Sequence, residues 1–387
     1  MDEQLLVLGN GFDLNVGLKS SFEDYFNQRF PNMDNQENDV NQYDLIEFSE
    51  YNMWDIIVRF VRNYKGGVKL NNWSDLEELL FDVMCSTNEY SNNPLLKYNL
   101  IDKLCEVNER RDRKSLKPIW KEPDDKDFIF KQIIRKACVA QYDLFYMMLE
   151  GSYSYGDMGF QMATILLKEL NKMEEDFSSY LSKQVQFSSN YEFRSKMLLE
   201  QLAGTSNLEK TNILSFNYTN PFINIKTNNY RLIHGNLVDR NVIFGLDVDS
   251  LSYEKDNDDK IYFSQFSKQN RVIDNLFKNK KQDRKRWHFD AQKINQVIFF
   301  GHSLSEADYF YFQALFDSIN LYSSDTTLIF VYSVYDKKKT LQIEESYKNS
   351  IETMLRIYGK SFDNQTHGRN LIQKLILENR LLVRCFE

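Results

Sequence analysis

Leu5-Leu6-Val7-Leu8-Gly9-Asn10-Gly11-Phe12-Asp13 is an apolar run that breaks directly into a Gly-x-Gly turn, and an amphipathic segment follows from Ser20 to Phe30. The order strand, tight turn, helix sets backbone N–H groups and a helix N-terminus where a phosphate can sit. Three later segments repeat the layout of an apolar run ending in polar residues. They are Asn212-Ile213-Leu214-Ser215-Phe216-Asn217-Tyr218-Thr219, Leu232-Ile233-His234-Gly235 and Val297-Ile298-Phe299-Phe300-Gly301-His302-Ser303-Leu304. In a parallel sheet all four polar ends face one crevice.

The chain of 387 residues is longer than an average domain, and its 42% hydrophobic content is enough for a sizeable core. A net charge of −8 disfavours a nucleic-acid coat protein, because phosphate binding needs a positive face. The four cysteines, Cys85, Cys105, Cys138 and Cys385, form no C-x-x-C pair, so neither a structural zinc nor a disulfide framework is expected. No apolar run approaches the roughly 18–20 residues of a membrane span, and the N-terminus lacks the layout of a signal peptide. The expectation is a soluble, cytoplasmic protein with no membrane contact.

From Asp44 to Leu202 the texture is helical: Trp54, Ile57, Val58 and Val61 recur at helical spacing, as do Trp73, Leu76, Leu79, Leu80 and Val83. Asn32 to Gln42 reads as a surface loop, and Asn108 to Asp127, with Pro118 and Pro123, as an exposed connection. From Thr211 onward short β-rich runs appear at 212–216, 231–234, 242–245, 297–301 and 327–334, and the final Leu381 to Phe386 forms a further candidate. Helical periodicity at Ala307–Ile319 and Thr340–Tyr358 alternates with the later runs. The pattern predicts an α/β fold with a mostly parallel sheet and an inserted α-helical block.

The glycine turn alone is weak evidence for a dinucleotide. The sixth position of the fingerprint is Leu14, and the acidic residue expected about 20 positions on, at the tip of a second strand, has no convincing candidate, so a hydride-transferring dehydrogenase is disfavoured. Asp13 suits helix capping or a ribose hydroxyl. Asn217 closes an apolar strand with an amide that both donates and accepts, suited to a polar ligand or to a turn before Pro221. His234 is the best placed of the four histidines for proton transfer, with Gly235 allowing close ligand approach. Ser305 and Asp308 fit a capping box imperfectly, or else belong to a second nucleotide-contacting loop. Trp73, Glu77 and Glu78 lie on one helix, with one carboxylate a candidate for the crevice. His288 and His367 receive no role. Between 268 and 286, Lys268, Arg271, Lys278, Lys280, Lys281, Arg284, Lys285 and Arg286 face only Asp274 and Asp283, a solvated face or an anion contact.

Gly9 to Asp13, Trp73 to Glu77, Ser215 to Thr219, Ile233 to Gly235 and Phe300 to Asp308 together resemble the bacteriophage abortive-infection AbiH family. That family is distantly similar to sirtuin-like NAD-binding proteins, which include NAD-destroying defence enzymes. The resemblance implies a Rossmann-like α/β domain from 1–35 plus 205–387, with 36–204 as the α-helical insertion. It implies catalytic roles for His234 and Asn217. Gly9, Asn10, Gly11, Phe12, Asp13, Thr219, Gly235, Gly301, His302, Ser303 and Asp308 would then contact the nucleotide. The zinc module of the sirtuin deacylases has no counterpart, so protein deacylation is not expected, and the Gly-Asn-Gly-Phe-Asp turn departs from the sirtuin Gly-Ala-Gly.

The leading expectation is cleavage of the nicotinamide–ribose bond of NAD or a related nucleotide, with NAD as substrate, no prosthetic group and no metal. A phage trigger and homo-oligomer formation are expected with it. A non-catalytic nucleotide sensor signalling to a partner is the first alternative. The second is a nuclease acting through 268–286, although Arg284 and His288 stand closer than the R-x4–6-H spacing of one ribonuclease class.

Overall fold

The structure, a computed structural model, describes residues 3–30, 51–55, 57–58, 76–77, 79–80, 155–239, 241–245, 265–278, 290–305, 308–334 and 337–386. Two compact units divide the chain. The first comprises Met1–Ser21, Ser179–Val242 and Lys280–Glu387, and the second Phe22–Ser178 and Ile243–Asn279.

The first unit is built on six strands: β1 (Glu3–Leu8), β2 (Thr211–Ser215), β3 (Asn229–Leu232), β4 (Ile294–Phe300), β5 (Thr327–Ser333) and β6 (Leu381–Phe386). All pair in parallel, in the order β3-β2-β1-β4-β5-β6. The sheet is therefore Rossmann-like, growing outward from β1 and then reversing through β4. That reversal leaves the loops after β1 and β4 side by side, where doubly wound sheets form their crevice. Leu232, Ser215, Leu8 and Phe300 stand in register across four strands. The residues that follow them, Ile233, Phe216, Gly9 and Gly301, consequently leave the sheet at one level.

Strands buried on both faces read as continuous apolar runs, which is why Leu5 to Leu8 and Val297 to Phe300 were conspicuous. Alternate residues Leu5, Val7, Val297, Phe299, Leu328 and Phe330 join one core cluster. Helices α6 (Tyr309–Ser318), α7 (Thr340–Lys360) and α8 (Gln365–Leu377) complete it, contributing among others Phe312, Leu355 and Leu371. Phe299 sits at its centre, stacked on Phe330 at 4.7 Å and edge-on to Phe312 at 5.6 Å.

After the first turn the chain makes a single helical turn, α1 (Gly11–Asn15), before α2 (Phe22–Arg29) begins. α2 falls within the amphipathic segment read from Ser20 to Phe30, and the short α1 precedes it. In the second unit, α2 packs the Phe22 and Phe26 rings in a tilted contact with centroids 6.0 Å apart. Tyr25 meets Phe177 of α3 (Tyr155–Phe187). Trp54 donates its indole N–H to the Leu166 carbonyl at 2.8 Å, tying it to that helix. The other helices are α4 (Tyr191–Ala203) in the first unit and α5 (Lys268–Lys278) in the second.

The run 242–245, expected as a strand, is buried coil. Phe244 donates its backbone N–H to Glu174 Oε1 at 2.6 Å, and its carbonyl accepts from Arg271, so side chains take the place of a ladder. Trp73, Glu78, Cys85, Cys105 and Cys138, and both proposed loops at 32–42 and 108–127, lie outside the described residues.

Removing the Phe299 ring from the middle of the core is expected to cost about 3–5 kcal/mol. Val383→Ala, at an exposed position on β6, stays within about 0.5 kcal/mol. Urea denaturation of the two variants checks this; comparable midpoints would show that Phe299 does not anchor the core.

Candidate active site

Four loops leave the carboxyl edge of the sheet together, and their backbones are tied before any side chain is considered. Gly9 N–H donates to Phe300 O at 3.0 Å, and Gly11 N–H to Gly301 O at 2.7 Å. Phe216 N–H bonds Leu8 O, Ile233 N–H bonds Ser215 O, and Leu237 N–H bonds Tyr218 O. The four segments that the sequence singled out are neighbours.

The glycine turn is used differently from the expectation. A Cβ on Gly9 would stand 2.5 Å from His302 Cα and 2.6 Å from Gly301 O. Gly301 itself has φ +68° and touches the backbone of Gly11 and Phe12. Gly9 and Gly11 therefore serve contact between two turns of the protein, and their N–H groups are already donated. A pyrophosphate cradle built from these two amides is corrected accordingly. Gly235, at φ +93°, is likewise closed over by the Asn241 carbonyl rather than left open for a ligand.

The polar residues beside the turn are also committed. Asn10 Oδ1 accepts from the Ser20 hydroxyl at 2.7 Å, and Phe12 is fully buried against Phe222. Asp13 neither caps a helix through its side chain nor waits for a ribose. Its two oxygens accept from the Tyr191 and Thr219 hydroxyls, each at 2.7 Å. Burial pushes the Asp13 carboxyl up to about 6 despite those two bonds, which act to lower it. Desolvation first, and the Asp13 charge second, push the Tyr191 phenol far above its ordinary range.

Beyond the turn, chemistry collects around Phe216. Its ring is edge-on to His234 at 5.3 Å and to His302 at 4.6 Å. Asp308 lies between the two imidazoles: His234 Nε2 is 2.9 Å from Oδ1, and His302 Nε2 is 3.3 Å from Oδ2. All three side chains are buried, and Asp308 holds the position immediately before α6. It makes no side-chain cap hydrogen bond there, so the capping-box reading gives way to a carboxylate turned onto two histidines. Asn217, the residue after Phe216, is 4% exposed, and neither its Oδ1 nor its Nδ2 finds a hydrogen-bond partner among the described residues. Leaving both groups unpaired costs about 1–3 kcal/mol each. Ser303 is exposed beside them. Among the described residues, no group of three His, Cys, Asp or Glu is arranged to hold a metal.

A family model described as bacteriophage abortive infection AbiH matches residues 5–332, which include all four loops. The chain belongs to the AbiH family. It is thereby placed among the abortive-infection defences against bacteriophage. No curated protein and no solved structure matches it.

The other sequence candidates of this AbiH chain fall elsewhere. Lys268 and Arg271 are buried at 5% and 8% exposure. Lys268 Nζ pairs with Glu77 at 2.5 Å, and Arg271 makes a forked contact with Glu174 inside the second unit. The start of the basic stretch is thus core ion pairing rather than an anion face, and Glu77 is engaged there instead of in the crevice. Lys280, Lys281, Arg284, Lys285, Arg286 and His288 lie outside the described residues. His367 stacks on Tyr322 at 4.4 Å near the start of α8. No helix among the described residues is long and apolar enough to cross a membrane. Sequence reasoning missed Tyr191 and Phe216 as parts of the site. Tyr191 was hidden in a helical texture, and Phe216 lay within an apolar strand run.

The Asp13 proton supplies a stability test. The folded carboxyl, at about 6 against an ordinary 3.8, binds its proton more tightly than the unfolded chain does. Its contribution is therefore most favourable below pH 3.8 and is lost as pH rises to about 6. Asp13→Asn removes that loss, so its stability relative to the parent is expected to improve by about 2 kcal/mol between pH 4 and pH 7. Denaturant melts at the two pH values measure it; a pH-independent difference would mean that the buried carboxyl is not perturbed.

Proposed function

We propose that this AbiH protein acts in abortive infection by cleaving an N-glycosidic bond, the nicotinamide–ribose bond of NAD or of a related nucleotide, at the loops after β2, β3 and β4. The observation carrying this reading is the buried carboxamide of Asn217, without a hydrogen-bond partner among the described residues, one residue after the Phe216 ring that packs on the His234–Asp308 pair. A nicotinamide carboxamide offers one acceptor and one donor, the complement of what Asn217 leaves unmet. The motif likeness to sirtuin-like NAD-binding proteins supports the choice of nucleotide.

Nicotinamide departs neutral from a cation, so the broken bond leaves oxocarbenium-like character on the ribose. Water then adds at that carbon, giving nicotinamide, ADP-ribose and one proton. His234 takes the proton from the attacking water, and the Asp308 carboxylate stabilises the imidazolium that forms, a role worth about 10²–10⁴ in rate. Asn217 holds the leaving base. Ser303 is the hydroxyl available to a ribose or phosphate oxygen, since Asp13 and the Gly9 and Gly11 amides are occupied. His234 and Asn217 are only 7% and 4% exposed, so substrate is admitted when a phage-derived trigger opens the loops. Resting protein is silent for that reason.

The same burial favours a second reading, in which the closed site senses a nucleotide without turning it over. Calorimetry distinguishes the two: a sensor binds NAD with no product under any activation.

Phage plating with His234→Ala and Asn217→Ala is expected to abolish protection while circular dichroism shows both variants folded. Purified parent protein with phage lysate should release nicotinamide and ADP-ribose from NAD, and the variants should fall at least about 100-fold below it. Full protection by both variants would remove these residues from the site.

A further inference from the structure

We infer that His302 is a positioning residue, a neutral imidazole locked in one tautomer that holds Asp308 in place for His234; the inference rests on the reading of His234 and Asp308 as the proton-handling pair. The backbone N–H of Leu304 donates to His302 Nδ1 at 2.9 Å. Nδ1 is therefore an acceptor without a proton, and the ring proton of the neutral form sits on Nε2. Nε2 is the atom 3.3 Å from Asp308 Oδ2. The other carboxylate oxygen is left to His234, 2.9 Å away.

Three features fix this arrangement. Leu304 has φ +57°, a left-handed conformation that a leucine adopts only when its surroundings impose it. Its side chain is buried in the core cluster, so the strained turn that aims its N–H at His302 is held by packing. The His302 ring meets Phe216 and Phe312 edge-on at 4.6 and 5.1 Å and is 6% exposed. A proton on Nδ1 would break the Leu304 bond. With Nδ1 committed to Leu304, His302 offers its Nε2 proton to Asp308 and steadies the carboxylate while its neighbour His234 handles the substrate proton. Asp308 is freed for the task because it gives up the usual cap to α6. A backbone N–H, two imidazoles and one carboxylate form a single line of support reaching from the core to His234.

Two isosteric substitutions separate this role from simple loop shaping. His302→Asn keeps an acceptor at the place of Nδ1 and loses the donor toward Asp308. His302→Gln keeps a donor near the place of Nε2 and loses the acceptor for Leu304. Positioning through Asp308 predicts that Gln retains the His234 tautomer and the phage protection better than Asn, with the Asn variant lowered roughly tenfold or more. A loop-shaping role predicts the opposite order. The direct readout is ¹⁵N NMR of the full chain labelled at its four histidines. The expected result is His302 in the Nε2–H form in the parent, with the His234 ring signals altered in His302→Asn and restored in His302→Gln. A His302 bearing its proton on Nδ1, or His234 signals indifferent to both substitutions, overturns the inference. Because the spectra need no turnover, altered His234 signals without NAD cleavage would remove the proposed reaction and leave the positioning role standing.

Discussion

Glycine against backbone at the reversal point of the sheet is the constraint on which the rest of this structure depends. β1 and β4 are ladder neighbours, and the turns that follow them touch through Gly9, Gly11 and Gly301 with no room for a Cβ. The Gly9 and Gly11 amides donate across the contact to the Phe300 and Gly301 carbonyls. The place where a doubly wound sheet ordinarily opens to receive a ligand is filled here by the protein itself. Filling it brings His302, the residue after Gly301, against Phe216 of the loop after β2.

That displacement explains where the chemistry collects. With the glycine amides spent, the polar groups that remain are those just beyond the sheet edge, grouped about the Phe216 ring. Asp308 stands where a short carboxylate normally caps its own helix, yet it is turned onto two imidazoles. Asn217 is held buried with neither half of its amide satisfied among the described residues. Both departures from local preference fall in one place, as expected when a site is selected for chemistry rather than for stability. Asp13 belongs to the support: its carboxyl ties α1 to α4 and to the loop after β2, at a desolvation cost reflected in its raised pKa.

The sheet was legible in the sequence because strands covered on both faces carry uninterrupted apolar runs, as in Leu5 to Leu8 and Ile298 to Phe300. The same rule misread 242–245: Val242, Ile243 and Phe244 are buried, but apolarity reports burial, not the partner of the backbone. Glu174 and Arg271 bind that backbone from 70 and 27 residues away, which no local pattern reveals. The basic stretch misled for a related reason. A charge run looks solvated until its partners are known, and Glu77 and Glu174 are distant in the chain. Glycines announced a close approach but not its object, so the turn suggested a phosphate where the structure places another turn. His234, Asn217 and Asp308 were legible because each follows a strand end in one parallel sheet. Their grouping about Phe216 required the register to be known.

Metabolite mass spectrometry of phage-infected cells tests the central claim most directly, that the loops gathered at this edge form a nucleotide-cleaving site. With the parent protein, NAD is predicted to fall after infection while nicotinamide and ADP-ribose rise, and Asn217→Ala should abolish both changes. Protection by the parent protein with the NAD pool intact would contradict the account.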